Sequence, residues 1–288
     1  MTRLRSTILI LMLLPAGLAG CDALVNVFTD LPEEPPIDNP LDPDPGNPNF
    51  VPPNTNILSP SGGSTFSSAS VNVTCQGNQG VVAFQDSLAG GSWSAWSSQT
   101  SRTIGPLDEG SHTIFVRGAY DTTVAALIDD TPASVTFTVN AVQGTSLRFS
   151  PPYIEGGLTG NIDLALVAED VSNLMMVKAV FTFDPSVITL NSGLNDWSDS
   201  EFLSGNGGSV LSFYEVDNAA GRFEINLSVV EGDPAGVSGT GTLLNLTFSG
   251  AAAGLSSLTW VESETVMRDH SNQPISIVNL VGAQVRVK

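Results

Sequence analysis

From Ile57 to the C-terminus the chain is written in short runs of alternating apolar and polar residues. Val71, Val73 and Cys75 fall on one parity, as do Ile114 and Val116, and then Val135, Phe137 and Val139. Further on, "RFEINLSVV" sets Phe223, Ile225, Leu227 and Val229 against Glu224, Asn226 and Ser228. "VKAVFTF" separates Val177, Ala179, Phe181 and Phe183 from Lys178 and Val180. The last run alternates Val281, Ala283, Val285 and Val287 with Gly282, Gln284, Arg286 and Lys288. Period two with turn residues every 8–12 positions predicts half-buried strands, and no long helical period competes with it. "SPSGGST", "AGGS" and "LDEGSH" supply the turns, since glycine takes positive φ without steric cost. The chain is therefore expected to be all-β, built as sandwiches.

Two N-terminal segments break this pattern. Arg3 and Arg5 precede an apolar run, Ile8 to Leu18, that is too short to span a bilayer, which takes about 20 apolar residues. It reads as a secretory h-region and is set aside from fold reasoning. Residues 21–54 are rich in proline and acid, as in "LPEEPPIDNPLDPDPGNPNFVPPN". Missing backbone donors and like charges predict an extended, unpacked spacer, reaching on the order of 100 Å at about 3.1 Å per residue.

Composition narrows the partners. The net charge is −19, and no Lys or Arg stands between Arg5 and Arg102. Such a surface repels nucleic-acid phosphates and anionic lipid, so neither is expected as a partner.

Leu18-Ala19-Gly20-Cys21 matches the lipobox of bacterial lipoproteins at all four positions. That resemblance implies cleavage before Cys21, so that residues 1–20 are a signal peptide, and acylation of Cys21. Two or more acyl chains hold a protein stably at a membrane. The lipid is then the sole membrane attachment and places the protein in the bacterial cell envelope, facing the periplasm or the exterior. With Cys21 acylated, Cys75 has no partner, and its parity with Val71 and Val73 predicts a small core residue.

Residues 55–140 resemble the Ig-like or fibronectin-III-like repeats of bacterial surface proteins, through "SPSGGSTF", "LAGGSWSAWS", "GPLDEGSHTIFVRGAYD" and "TPASVTFTV". The resemblance implies a spacer or adhesive module. Trp93 and Trp96 are expected to pack at its core or rim, as large aromatics do.

Residues 141–288 resemble a cohesin domain. "DLALVAEDVSNLMMVKAVFTFDPSVITL" carries the "DV.NL" and "YDPSVL" elements of that family. "VSGTGTLLNLTFSGAAAGLSSLTW" and "RDHSNQPISIVNLVGAQVRV" follow in the family's order. The resemblance implies a nine-stranded jelly roll and a dockerin-like protein partner, in the setting of polysaccharide degradation. Met176, Lys178 and Val180 occupy the family's contact strand and would form the partner-binding face. Cohesins are related to some carbohydrate-binding modules, so a polysaccharide is the alternative ligand, with Trp197 and Tyr214 as stacking residues.

No enzyme is expected. His112 and His270 lack a spaced second histidine for zinc. No G-x-S-x-G elbow and no nucleotide-binding glycine pattern occur. Acids such as Asp163 and Glu224 fall at outward strand positions, where solvation is the default. Asp196, Asp199 and Glu201 around Trp197 do not have EF-hand spacing, and no metal or cofactor is expected.

Overall fold

A computed structural model describes residues 39–191, 201–205, 207–230 and 236–288. The described residues up to Val51 and those from Pro52 onward are two compact units.

In the first unit, residues 39–51 turn back on themselves, which corrects the expectation of an extended spacer over this part. The Asn39, Asp42, Asp44 and Asn47 side chains each accept the N–H two residues on. These Asx turns supply partners for the few N–H groups that the prolines leave. Asn47 is buried and its Nδ2 donates to the carbonyls of Asn39 and Asp42, at 2.7 and 2.9 Å. The Val51 N–H closes the segment on the Pro40 carbonyl at 2.8 Å.

The second unit begins with β1 (Thr55–Ser59), β2 (Thr65–Phe66), β3 (Val71–Gly77), β4 (Ala83–Leu88), β5 (Ser101–Ile104), β6 (Gly110–Ala119) and β7 (Ala133–Val139). β1, β3 and β5 form one sheet, and β2, β7, β6 and β4 form the other. Their inner faces share a core of Val71, Val73, Cys75, Phe84, Leu107, Ile114, Val116, Val135, Phe137 and Val139. These include every alternating position singled out in this region. Cys75 is buried, and burial is the first cause that pushes its thiol above the usual value.

Next come β8 (Ser146–Ser150), β9 (Tyr153–Gly156), β10 (Ile162–Thr182), β11 (Ile188–Leu190) and a short helix α1 (Glu201–Ser204). β12 (Ser209–Asp217), β13 (Arg222–Val230), β14 (Val237–Gly250) and β15 (Gly254–Trp260) follow. The chain ends with β16 (Val266–Asp269), β17 (Pro274–Ile275), β18 (Asn279–Val281) and β19 (Ala283–Val287).

The organising element is β10, which serves both layers of this sandwich. Its first half lies between β8 and β14. Its second half lies between β13 and β16, and its last residues reach β15. The register shifts between Ala168 and Val171 and again between Val171 and Leu174. Asp170 and Asn173, at the two shifts, have φ of 49° and 55°, a conformation that Asp and Asn tolerate better than other non-glycine residues. Their N–H groups, displaced from the ladder, donate to Thr240 Oγ1 and Ser238 Oγ of β14. The "DVSNL" stretch is thus a double bulge that turns one strand from one layer into the other.

The core between the layers is aromatic at its centre. Phe149 stacks on Trp260 with ring centroids 4.8 Å apart, and meets Phe181 edge-on at 5.0 Å. Phe181 in turn contacts Phe223 at 5.1 Å. Burial of each such ring contributes about 2–3 kcal/mol, and Trp260 Nε1 is satisfied by the Val281 carbonyl at 3.0 Å. The final apolar run is not one strand. It divides at Gly282, with β18 parallel to β8 and β19 between β15 and β9. A Cβ at Gly282 would lie 2.4 Å from the Leu258 carbonyl oxygen.

Candidate functional site

In its second layer the jelly-roll half places β12, β13, β10 and β16 side by side. Alternation sends Phe223, Ile225, Leu227, Val177, Ala179, Phe181 and Met267 inward, all fully buried. The opposite parity faces out: Leu211, Phe213 and Glu215 from β12; Arg222, Glu224, Asn226 and Ser228 from β13; Met176 and Lys178 from β10. The register aligns Phe213 with Asn226 and Asn226 with Lys178, so these three form one row across the sheet.

This outer face is half apolar and half ionic. Phe213 is 62% exposed and Leu211 46%, a large apolar area for one strand of a solvent-facing sheet. Beside them Lys178 Nζ lies 2.8 Å from Glu224 Oε1, and Arg222 joins Glu224 at 3.0 Å to Glu264 at 2.8 Å. The Lys178 hydrogen bond is the first cause that holds the Glu224 carboxyl below its usual value. Phe213, Tyr214, Glu215, Glu224 and Asn226 line a shallow depression of about 190 Å³.

The candidate residues of the sequence divide accordingly. Met176 and Lys178 are half-buried on this face. Val180 is not available to a partner, because it is completely buried. Its parity is outward, but it stands inside the sheet, between Glu224 of β13 and the 261–265 segment bonded along its backbone. The Val261 N–H and the Thr265 hydroxyl both donate to the Val180 carbonyl, at 2.8 and 3.2 Å. The Val180 N–H donates to Thr265 Oγ1 at 3.2 Å.

Tyr214 is about half exposed on β12 and cross-strand from fully buried Ile225. It and Phe213 are consecutive, so their side chains leave the strand on opposite faces and do not build one stacking platform. Trp197, Asp196, Asp199 and Cys21 lie outside the described residues.

Sequence reading missed Leu211 and Phe213. The signal was present in "SVLSFYEV", where apolar residues occupy both parities. A strand apolar on both faces, with only one face toward a core, leaves the other uncovered.

In the first module Trp93 and Trp96 are half-buried at the rim. The Arg117 guanidinium lies 4.1 Å from the Trp93 ring centroid and 5.7 Å from that of Trp96. Gln85 accepts from Arg117 and donates to the Ser94 carbonyl, fixing the "WSAW" segment against the sheet. His112 sits within β6 with Nε2 2.7 Å from the Asp108 carbonyl, and His270 is exposed in the turn before β17. Among the described residues no group of three or more His, Cys, Asp or Glu is arranged to hold a metal. No helix among them is long and apolar enough to cross a membrane.

No family model and no curated protein matches the chain. Among solved structures, the chain is similar to a non-cellulosomal cohesin from the hyperthermophilic archaeon Archaeoglobus fulgidus. The identity is 15%, the match covers 51% of this chain and 92% of that one, and the TM-score is 0.40. It is similar also to a type II cohesin domain from the cellulosome of Acetivibrio cellulolyticus, at 13% identity, with 50% and 95% covered and a TM-score of 0.40. A third similarity is to a type I cohesin–dockerin complex from Clostridium thermocellum, at 11% identity, with 51% and 100% covered and a TM-score of 0.38. These likenesses are of fold alone.

Proposed function

We propose that this protein is a non-catalytic binding protein whose C-terminal jelly roll recruits a protein partner, of dockerin type, through the outer face of β12, β13, β10 and β16. The observation that carries the reading is the exposure of Leu211 and Phe213 beside the Lys178–Glu224–Arg222 ion pairs. Exposed aromatic and aliphatic anchors ringed by polar and charged groups are the composition of a protein-binding patch. The resemblance of residues 141–288 to cohesins, carried by the quoted motifs, supports the same face and names the partner class. Met176 and Lys178 belong to it and Val180 does not.

In this proposal Cys21 carries the lipid that tethers the chain in the cell envelope. The 55–140 segment is an Ig-like spacer, and the setting is the breakdown of polysaccharides. The test is a pull-down of the host's secreted proteins on the full chain, with and without calcium, with captured partners identified by mass spectrometry. Capture of a dockerin-bearing protein that Phe213→Ala and Lys178→Glu release is the expected result. Retention of polysaccharide with no protein captured would transfer the function to carbohydrate binding. Metabolic labelling with a fatty-acid analogue tests the tether: label should be present in the parent and absent from Cys21→Ser.

A further inference from the structure

We propose that the loop between β5 and β6, Gly105 to Glu109, is a clasp that locks the two sandwiches into one rigid body. The protein would then present its jelly roll on an unhinged stalk rather than on a flexible joint. Modules joined by a few residues are expected by default to move relative to one another. Here two consecutive carboxylates of the first sandwich are committed elsewhere.

Asp108 uses both oxygens on β8: Oδ1 accepts from Arg148 Nη1 at 2.9 Å, and Oδ2 accepts from Ser150 Oγ. Glu109 turns onto the connecting segment and accepts the N–H groups of Ala141 and Val142, at 2.9 and 3.1 Å to Oε1. The loop is itself held from within the first sandwich. Leu107 is buried in that core, the Leu107 N–H donates to the Ala69 carbonyl at 2.7 Å, and the Asp108 carbonyl is tied to His112.

The receiving side is equally fixed. The Arg148 side chain is only 10% exposed and divides its guanidinium between Asp108 and Glu169, with Nε 2.6 Å from Glu169 Oε2. Glu169 also accepts from Thr240 Oγ1 at 3.1 Å. A buried guanidinium is costly unless its donors are matched, and its planar fork accepts few geometries. Hinge motion that removed Asp108 would break a charge-assisted hydrogen bond and leave the Arg148 fork matched only to Glu169.

The connection is tied at its other end too. Thr145 Oγ1 donates to the Asp170 carbonyl at 2.9 Å, the Val278 N–H donates to the Thr145 carbonyl at 2.7 Å, and Asn279 Nδ2 donates to the Gln143 carbonyl at 2.9 Å. Residues 140–145 therefore have little unbonded chain in which to flex.

Hydrogen exchange and calorimetry on the full chain test it. The parent should show slow exchange at the Ala141 and Val142 amides and one cooperative melting transition for both sandwiches. In Asp108→Ala/Glu109→Ala those amides should exchange about tenfold faster or more, and the melt should separate into two transitions. Slow exchange at Ile114 and Val135 in the variant shows that its first sandwich is still folded. If that protection is lost, Glu109→Ala alone serves, read by whether its melt separates into two transitions. Unprotected linker amides or two independent transitions in the parent would overturn the clasp, as would a folded variant that matches the parent in both readouts.

Discussion

Lys178 of β10 reaches diagonally across the ladder to Glu224 of β13, ammonium to carboxylate at 2.8 Å. Direct cross-strand partners are Lys178 with Asn226, and Glu224 with Val180, so the pair spans the longer diagonal that only extended side chains bridge. Glu224 is shared with Arg222.

The sign of its pH dependence follows. Glu224 titrates below its unfolded value, first because of the Lys178 hydrogen bond and further because of Lys178 charge, Asn226 and Arg222, with desolvation opposing. A depressed folded value means the pair's stabilisation is present above the unfolded carboxylate value, about 4.3. It is lost as pH falls through the folded value. Lys178→Met should cost about 0.5 kcal/mol at pH 7, the scale of a partly exposed pair, and nothing once Glu224 is protonated. Urea unfolding of both proteins at neutral and strongly acid pH checks this. An equal gap at both pH values would contradict it.

Phe213 and Phe223 make a controlled comparison, one on the open face and one in the core. Phe213→Ala should leave stability within about 0.5 kcal/mol of the parent while weakening partner capture about tenfold or more. Phe223→Ala should cost about 3–5 kcal/mol. Thermal melts paired with titration of the captured partner measure both. A Phe213→Ala protein that binds undiminished would remove this face from the proposal.

Cys75 should be chemically quiet. Its thiol is buried, and desolvation outweighs the nearby Arg102, so the reactive thiolate is disfavoured. A chromogenic disulfide reagent should label it slowly in native protein and rapidly in denaturant. Fast native labelling at neutral pH would mean that β3 opens readily.

Gly221, in the turn between β12 and β13, has φ of 64°, and a Cβ there would lie 2.1 Å from the Phe183 carbonyl oxygen. The same approach lets the Phe183 N–H donate to the Gly221 carbonyl at 2.8 Å. Gly221→Ala should destabilise by about 1–3 kcal/mol, through backbone strain and displacement of this contact. Chemical denaturation measures it, and an unchanged midpoint would show that the turn can rebuild.

Much of the fold was legible because strand parity is a local property. The inward sets Val71/Val73/Cys75, Val177/Ala179/Phe181 and Phe223/Ile225/Leu227 were readable residue by residue and are buried as sets. Whatever depends on one strand meeting another was less legible. No local period shows that "DVSNL" is a double bulge inside β10, because it is β14 that supplies Ser238 and Thr240 hydroxyls to the displaced N–H groups. "VGAQVRVK" reads as one strand, yet it changes neighbours at Gly282. The 39–51 segment reads as extended, yet its Asn and Asp side chains bond it into turns.

By itself the sequence determined the all-β class, the two inward-facing cores, the acidic surface and the strand that carries Met176 and Lys178, all of which follow from residue type and period. Only the tertiary structure decided which outward positions are open. Val180 and Phe213 have the same outward parity, but the first is hemmed in between β13 and the 261–265 segment and is fully buried, while nothing among the described residues buries the second. Alternation assigns a face to each side chain. Whether that face meets solvent depends on chain distant in sequence, whose position is set by ladder register and by hydrogen bonds such as Thr265 to Val180.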